Sequence, residues 1–143
     1  MKYFHNFYSN NNVSSIRSIN SLYIGNVLDL YKFLLENGWC KETCAPRMQE
    51  EYEKSHKTLG QCSITAFLVQ DIFGGEVYGV MLKDGNLHCF NYINGVIFDL
   101  TSEQLNEEVN YSLSLLQNRN DHFVSEEKYH RYLLLKKLLL ERK

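Results

Sequence analysis

The sequence predicts an α+β domain in which a cysteine-bearing helix packs on a small antiparallel β-meander, with further helices around it. Two observations lead to this prediction. The apolar segment from Cys62 to Phe73 lies between glycines and has the length of a buried helix. Three shorter segments follow, separated by Asp84-Gly85 and Asn94-Gly95. These dipeptides are preferred in two-residue hairpin loops, so the segments are expected to form a meander with residues 86 to 93 in its centre.

Length and composition favour one globular domain. The chain has 143 residues, of which 44% are hydrophobic and 22% charged, and its formal net charge is -2. This length is sufficient for a hydrophobic core, and the small net charge does not indicate a nucleic acid or an anionic membrane as partner. No segment resembles a signal peptide or a membrane span. We therefore expect a cytoplasmic protein whose cysteines are reduced.

The first helix of the domain is predicted to follow an irregular segment. Residues 1 to 25 lack clear periodicity and are expected to be an irregular N-terminal extension, with residues 26 to 143 forming a single α+β domain. Asn26 is a suitable N-cap for a helix that runs to about Asn37. Gly38 then supplies the C-terminal stop.

Further helices are predicted on both sides of the helix and meander. Pro46 suits the first turn of a helix, and the charged segment 48 to 54 is expected to be helical and solvated. Thr101 or Ser102 is expected to cap a short helix that runs through Leu105 to Glu108, whereas residues 111 to 116 fit no single element. Ser125 is predicted to cap the last helix, whose leucines form a wide apolar face. This face could mediate a homodimer, but closing one side of the sheet is favoured.

Cys62 lies where a nucleophile is expected. Gly60 permits a sharp turn before the helix, and Cys62 occupies the first helical turn. The unpaired amides and the positive end of the helix dipole favour a thiolate there, which is the form that attacks carbonyl groups. His88 and Asp99 follow on segments predicted to be adjacent strands. A helical cysteine, then a histidine, then an acid is typical of the chain order of cysteine hydrolases.

The predicted strand register tests whether His88 and Asp99 can meet. A two-residue loop at Asn94-Gly95 places His88 and Asp99 on the same face of the sheet. They are then diagonal neighbours within side-chain reach. Asn91 and Cys89 point to the opposite face, so Asp99 rather than Asn91 is predicted to orient His88. A bulge between the two strands would reverse this choice.

Each of these residues also has an ordinary structural explanation. A cysteine in an apolar helix is more often a small buried hydrophobe than a nucleophile. A strand histidine is often a satisfied core or surface residue, and Asp99 before Leu100 could cap the next helix. The three residues occur in the chain order of a triad, and His88 and Asp99 are predicted to lie on the same face of the sheet. This combination favours a triad over an unrelated structural role for each residue.

Several linked motifs carry a resemblance to a known family. They are Gly60-Gln61-Cys62, Thr65-Ala66, Val69-Gln70-Asp71, Phe73-Gly74-Gly75-Glu76, His88, Asn91, Gly95, Asp99-Leu100-Thr101 and Gln104, with Trp39, Lys41-Glu42-Thr43-Cys44 and Pro46 upstream. On these motifs, the segment from about residue 26 to residue 104 resembles the YunG-like family of small bacterial proteins. The resemblance implies that Cys62, His88 and Asp99 belong to the central motif of that family.

The order of these three residues is also similar, more distantly, to that of papain-like hydrolases, transglutaminases and arylamine N-acetyltransferases. This analogy implies a papain-like or transglutaminase-like core with additional helices. It further implies a thiol hydrolase or acyltransferase that acts on an amide or ester. His88 would take the proton of Cys62, and Asp99 would orient the imidazole.

Three other residues are candidates for the surroundings of this site. Papain-like enzymes carry an oxyanion-hole glutamine several residues before the cysteine, whereas Gln61 directly precedes it here. Backbone amides at the helix start are therefore the favoured oxyanion donors, and Gln61 remains a candidate. Phe90 and Tyr92 could line the cleft, although packing against the Cys62 helix is favoured for both.

Two other classes of function compete with the enzyme. One is a non-catalytic binding module that retains the fold. The other is a metal site built from Cys40, Cys44, Cys62, His88 or Cys89, which is disfavoured because Cys40 and Cys44 lack the tight Cys-x-x-Cys spacing of zinc sites. We expect no metal and no cofactor. The expected partner is a small-molecule or peptide substrate that the sequence does not identify.

Overall fold

The structure, a computed structural model, describes residues 16–19, 21–23, 25–105 and 107–142. Most of the predicted N-terminal extension, residues 1 to 15, lies outside the described residues. The helices and strands are α1 (Val27–Phe33), α2 (Cys62–Phe73), β1 (Glu76–Met81), β2 (Leu87–Ile93), β3 (Val96–Phe98), β4 (Leu115–Leu116), α3 (Arg119–Phe123) and α4 (Glu126–Leu140). A π-helical turn (Leu34–Gly38) extends α1, and 3-10 helices cover Lys41–Thr43, Pro46–Lys54, Ser102–Gln104 and Tyr111–Leu113.

The strands form one antiparallel sheet in the order β3-β2-β1-β4. The α+β class is therefore confirmed, and β2 is the central strand of the meander as predicted. Strand β4 was not predicted, because its two residues have no strand periodicity of their own. It exists through long-range pairing of Leu115 with Gly79 and of Leu116 with Tyr78.

The second hairpin has the predicted register. Asn94 and Gly95 have φ angles of 51° and 80°, the left-handed pair that a type I′ turn requires. Ile93 pairs with Val96, and the next pairs of the ladder follow from it. The alternation of side chains between the two faces is therefore as the sequence indicated.

The first hairpin differs from its prediction. The last pair of its ladder is Met81 with Leu87, so the loop is longer than the two residues expected at Asp84-Gly85. Asp84 Oδ1 accepts a hydrogen bond of 2.8 Å from the backbone N–H of Asn86. This side-chain bond offers the backbone an alternative to the tight hairpin, and it shortens both strands.

Helix α2 is the centre of the core. Ile64, Phe67 and Ile72 are fully buried, and the helix packs on β2 on one side and on α4 on the other. Asn91 Nδ2 donates a hydrogen bond of 2.8 Å to the carbonyl oxygen of Ala66, which ties β2 to the middle of α2. The position of Cys62 is thus fixed by a helix that is buried along most of its length.

Helix α4 completes the core by packing on α2. Ser125 caps it as predicted, accepting a hydrogen bond from the N–H of Lys128. Leu135 and Leu139 are fully buried. The main packing partners of this helix are α2, the π-helical turn and the Lys41–Thr43 turn.

Helix α1 and the residues before it are attached to the same core. Asn26 and Asp29 form a capping box, with a bond of 2.8 Å from Asp29 N to Asn26 Oδ1. Ile16 is buried, and the N–H of Ile19 donates to the carbonyl oxygen of Ile72 at 2.7 Å. None of the helices in the described ranges has the length and apolar character needed to cross a membrane.

Candidate active site

A tight turn places Cys62 at the start of α2. Gly60 has a φ of 70°, and a Cβ atom built on it would lie 2.6 Å from Cys44 Sγ and 2.9 Å from Ala45 N. Only glycine therefore fits this position. Its N–H donates to Gln104 Oε1 at 3.1 Å, and its carbonyl oxygen accepts from Ala45 N at 3.0 Å. Hydrogen bonds to Gln104 and Ala45 thus fix the backbone at the residue where the chain turns into α2.

Cys62 faces a cleft. Its side chain is half-buried and lines a cavity of about 360 Å³, which His88 also lines. Its Sγ lies 3.8 Å from the carbonyl oxygen of Leu87. As the first residue of α2, Cys62 lies among backbone amides that have no acceptor within the helix, so the local field is positive.

The surroundings of Cys62 favour its thiolate. A hydrogen bond from the thiol of Cys89 lowers the pKa of Cys62 most strongly, burial acts in the opposite direction, and His88 lowers the pKa further through a hydrogen bond and its charge. The net result is a pKa well below the usual value for cysteine. The Cys62 sulfur is therefore charged at a pH where a free cysteine is protonated.

His88 is held by a buried carboxylate. Its Nε2 lies 2.8 Å from Asp99 Oδ2, and both side chains are almost inaccessible to solvent. Burial lowers the pKa of His88, but the charge and hydrogen bond of Asp99, together with Cys62, raise it to about 10. Since Nε2 is bound to Asp99, Nδ1 is the nitrogen that remains for the thiol. The structure thus brings His88 and Asp99 into contact, and Cys62 and His88 line the same cleft.

Asp99 reaches His88 because β3 is short. The strand ends at Phe98, and the carbonyl oxygen of Asp99 accepts from the N–H of Ser102 at 3.2 Å in the turn that follows. The ladder pairs Asn91 with Phe98, so Asp99 is the next residue along and a diagonal neighbour of His88. The hairpin register and this turn together set the distance.

Tyr111 is a component of this site that the sequence did not indicate. Its hydroxyl donates a hydrogen bond of 2.5 Å to Asp99 Oδ2, the same oxygen that contacts His88. Burial and the charge of Asp99 raise the pKa of Tyr111, so it remains a neutral donor. Tyr111 lies in the segment for which no element could be assigned, and no periodic signal points to it.

Cys89 lies beside Cys62, which the sequence also did not indicate. Its side chain is buried and lines the same cleft. The interaction with Cys62, followed by burial, raises the pKa of Cys89 well above its usual value. The pKa of Cys89 and that of Cys62 are thus shifted in opposite directions by their mutual interaction.

Gln61, Phe90 and Tyr92 are not brought to the cleft. The Gln61 side chain is buried, and its Nε2 donates to the carbonyl oxygen of Cys40 at 3.0 Å. Phe90 and Tyr92 instead line a separate groove of about 250 Å³, which they share with Tyr78. Phe90 and Tyr92 lie on the face of β2 that does not pack on α2, because side chains alternate along a strand.

The cysteines are all free in the part of the chain that the structure describes. Cys44 is fully buried, and burial raises its pKa to about 11. Cys40 contacts Thr43 Oγ1 at 3.8 Å, away from the cleft. Over the described residues, no group of three or more His, Cys, Asp or Glu side chains has an arrangement suited to a metal ion.

Comparison with known proteins gives a family match over most of the chain. The family described as "YunG protein" matches residues 26–143, which include Cys62, His88 and Asp99. The chain is 31% identical over 100 residues to a protein of Bacillus subtilis (strain 168) named "Uncharacterized protein YunG", and the aligned region covers 68% of this chain and 81% of that relative. No solved structure matches the chain.

Proposed function

The chain belongs to the YunG family, and we propose that it is a thiol hydrolase or acyltransferase that acts on an amide or ester through Cys62, His88 and Asp99. The observation that carries this proposal is the buried His88–Asp99 pair, 2.8 Å apart, beside a half-buried cysteine in the first turn of α2. Burying a histidine–carboxylate pair carries a large desolvation cost, and perturbed pKa values concentrate at functional sites.

Opposed pKa shifts of Cys62 and His88 support a thiolate–imidazolium pair. The pKa of Cys62 lies well below its usual value, and that of His88 is raised to about 10. Between those two pKa values the sulfur is negative and the imidazole is positive. This is the resting state that an acyl-transferring cysteine requires, because the nucleophile is already deprotonated and the general acid is already protonated.

The catalytic cycle follows from these charges. The Cys62 thiolate attacks the carbonyl carbon, a C–S bond forms, and the carbonyl electron pair moves to the oxygen. When the intermediate collapses, the bond to the leaving group breaks, and His88 Nδ1 gives its proton to the departing amine or alkoxide. Water or an amine then attacks the thioester, His88 takes a proton from it, and the thiolate is released.

The oxyanion of the intermediate needs donors near Cys62. The backbone N–H groups in the first turn of α2 have no intrahelical acceptor and lie at the positive end of the helix. They are the proposed oxyanion donors. Gln61 is not assigned this role, because its side-chain amide is engaged by the carbonyl oxygen of Cys40.

The arrangement of α2 on the meander supports the finer fold assignment. Cys62 begins a buried helix, His88 lies on the central strand, and Asp99 follows the adjacent strand. We infer from this order of elements that the domain is a variant of the papain-like or transglutaminase-like core. Strand β4 and helix α4 are additions to that core.

Alkylation of the protein at pH 6 tests the proposal. An unfolded cysteine is less than about 1% thiolate at this pH, whereas Cys62 is expected to be largely thiolate, so iodoacetamide should label native protein at least about tenfold faster than unfolded protein. Cys62→Ala should remove the fast reaction, measured by mass spectrometry. Cys40→Ala, which removes another half-buried thiol, is the matched control and should leave the fast reaction intact.

His88→Ala and a thioester probe separate the enzyme from a binding module. Without the imidazolium, the pKa of Cys62 should rise, and the labelling rate at pH 6 should fall by about tenfold or more. A small thioester should leave an acyl adduct on Cys62 of the native protein that decays with time. Equal labelling of the wild type and Cys62→Ala would contradict the proposal, and a reactive Cys62 that forms no acyl adduct would favour the binding module.

A further inference from the structure

Apart from Cys62, the charged side chains around the cleft are all basic. The cavity of about 360 Å³ that contains Cys62 is lined by three cationic residues and two histidines, and no carboxylate from the described residues lines it. These five are Arg47, Lys128, Arg131, His88 and His122. The whole chain has a formal net charge of -2, so the cleft differs in sign from the molecule as a whole.

Lys128 is held at the cleft by a defined chain of contacts. Its Nζ lies 3.0 Å from His122 Nδ1, and His122 Nε2 lies 2.8 Å from Gln117 Oε1. Burial lowers the pKa of His122, and the charge of Lys128 lowers it further, so the imidazole is neutral and accepts from the ammonium. This contact uses one of three N–H donors on Lys128, and the remaining two are left for another acceptor.

The other two cations differ in how far their charge is compensated. Arg131 is nearly buried and is bound by the carboxylate of Glu127 and the carbonyl oxygen of Thr43. Arg47 is exposed and lines the cleft beside the β1–β2 loop. Asp84 in that loop lowers the net charge nearby, but its carboxylate accepts both a backbone and a side-chain hydrogen bond from Asn86. Lys128 and Arg47 are therefore the cations with capacity for a ligand.

We propose that the substrate of the Cys62 site carries an anionic group, a carboxylate or a phosphate, that binds Lys128 and Arg47 while its carbonyl carbon lies against Cys62. This inference rests on the proposed function and adds the substrate class to it. A flexible ammonium and an exposed guanidinium beside a half-buried nucleophile provide charge recognition and positioning together. The cations also favour the approach of an anion over that of a neutral acyl compound.

A pair of alkylating agents of nearly equal size tests the charge preference. Iodoacetate carries a carboxylate where iodoacetamide carries a neutral amide, and both react with the same sulfur. The ratio of their rate constants at Cys62 cancels the nucleophilicity of the thiolate, which is common to both reactions. The charge of His88 affects this ratio equally in all variants compared. A change in the ratio therefore measures the effect of the substituted cation alone.

The ratio of iodoacetate to iodoacetamide rate constants is expected to fall in the cleft variants. Lys128→Met should lower it by about threefold to tenfold at low ionic strength, and Arg47→Gln should lower it by about twofold to fivefold. Lys137→Met removes an exposed lysine that is paired with Glu141 outside the cleft, and it should leave the ratio unchanged. Added salt should reduce the difference between the wild type and the cleft variants.

Protection by small anions identifies the charged group. At matched ionic strength, slower iodoacetamide labelling in inorganic phosphate than in acetate indicates a phosphate, and the reverse indicates a carboxylate. The inference is overturned if the rate ratio is the same in the wild type, Lys128→Met and Arg47→Gln. Failure of the proposed function gives a different result, because iodoacetamide would then label Cys62 no faster than in unfolded protein.

Discussion

The charge of His88 is set by two opposing effects of its environment. Burial lowers the pKa of His88, whereas Asp99 and Cys62 raise it, and the effects that raise it prevail within a site of low dielectric. The single carboxylate oxygen Asp99 Oδ2 receives both His88 Nε2 and the Tyr111 hydroxyl. Asp99 is thus the residue on which the charge state of the pair depends.

Asp99→Asn should remove the thiolate at mildly acidic pH. A neutral amide cannot stabilise the imidazolium, so burial would dominate and the pKa of His88 would fall from about 10 to below its ordinary value. Without a cation beside it, the Cys62 thiol should have a pKa at least one unit higher than in the wild type. The pH dependence of iodoacetamide labelling between pH 5 and 10 measures this change.

The pKa shifts of Cys62 and His88 determine how the labelling rate changes with pH. In the wild type the labelling rate should be nearly constant from mildly acidic pH upward, because the thiolate is already formed, and it should change again only near pH 10, where His88 loses its proton. In Asp99→Asn the rate should rise continuously through neutral pH. A wild-type profile that rises only above pH 8 would show that no thiolate–imidazolium pair exists.

At the scale of the secondary-structure element, the turn before α2 sets the position of Cys62. Gly60 combines a left-handed backbone with contacts that leave no space for a side chain. Gly85, in the first hairpin loop, is also left-handed, with a φ of 86°, but no atom lies within 4 Å of a Cβ built on it. Alanine substitutions at these two glycines therefore distinguish the cost of a left-handed backbone from the cost of steric overlap.

Gly60→Ala should destabilise the protein more than Gly85→Ala. Gly85→Ala is expected to lose about 1–2 kcal/mol of unfolding free energy from the left-handed backbone alone. Gly60→Ala should lose about 1–3 kcal/mol more, because Cys44 and Ala45 must move to admit the new methyl group. Urea denaturation measures both values, and equal losses would show that the Cys44 contact is not restrictive.

At the scale of the whole molecule, α2 is enclosed between the sheet and α4. Leu135 of α4 is fully buried, whereas Leu133 of the same helix is 40% exposed. A second connection comes from Asp71, whose carboxylate accepts from Arg119 and from the Tyr132 hydroxyl. Because α4 also carries Lys128, the last helix contributes to the core and to the cleft at the same time.

Leu135→Ala should therefore affect the stability of the entire domain. The cavity left behind is expected to cost about 2–5 kcal/mol, and Leu133→Ala less than about 1 kcal/mol. Thermal or urea unfolding gives the difference. If α4 were a separate unit, Leu135→Ala would instead produce a second transition while the Cys62 labelling rate stayed unchanged.

Local chemistry explains which parts of the fold could be predicted. The dipeptide Asn94-Gly95 determines its own turn, and that turn determines the register that places Asp99 beside His88. Asn26 and Ser125 cap their helices through bonds to residues three positions away. All of these signals act between residues that are close in the chain, so the sequence alone contains them.

Long-range packing decided the rest of the molecule. Cys89 follows Cys62 by 27 residues and lines the same cleft, Tyr111 follows Asp99 by 12 residues and donates to it, and Lys128 follows Cys62 by 66 residues and reaches the cleft. No short-range pattern encodes such contacts, because they form only when α2, the sheet and α4 pack together. The sequence by itself determined the Cys62 helix, the Asn94-Gly95 turn and the strand order of the meander, and the tertiary structure decided which side chains surround the sulfur.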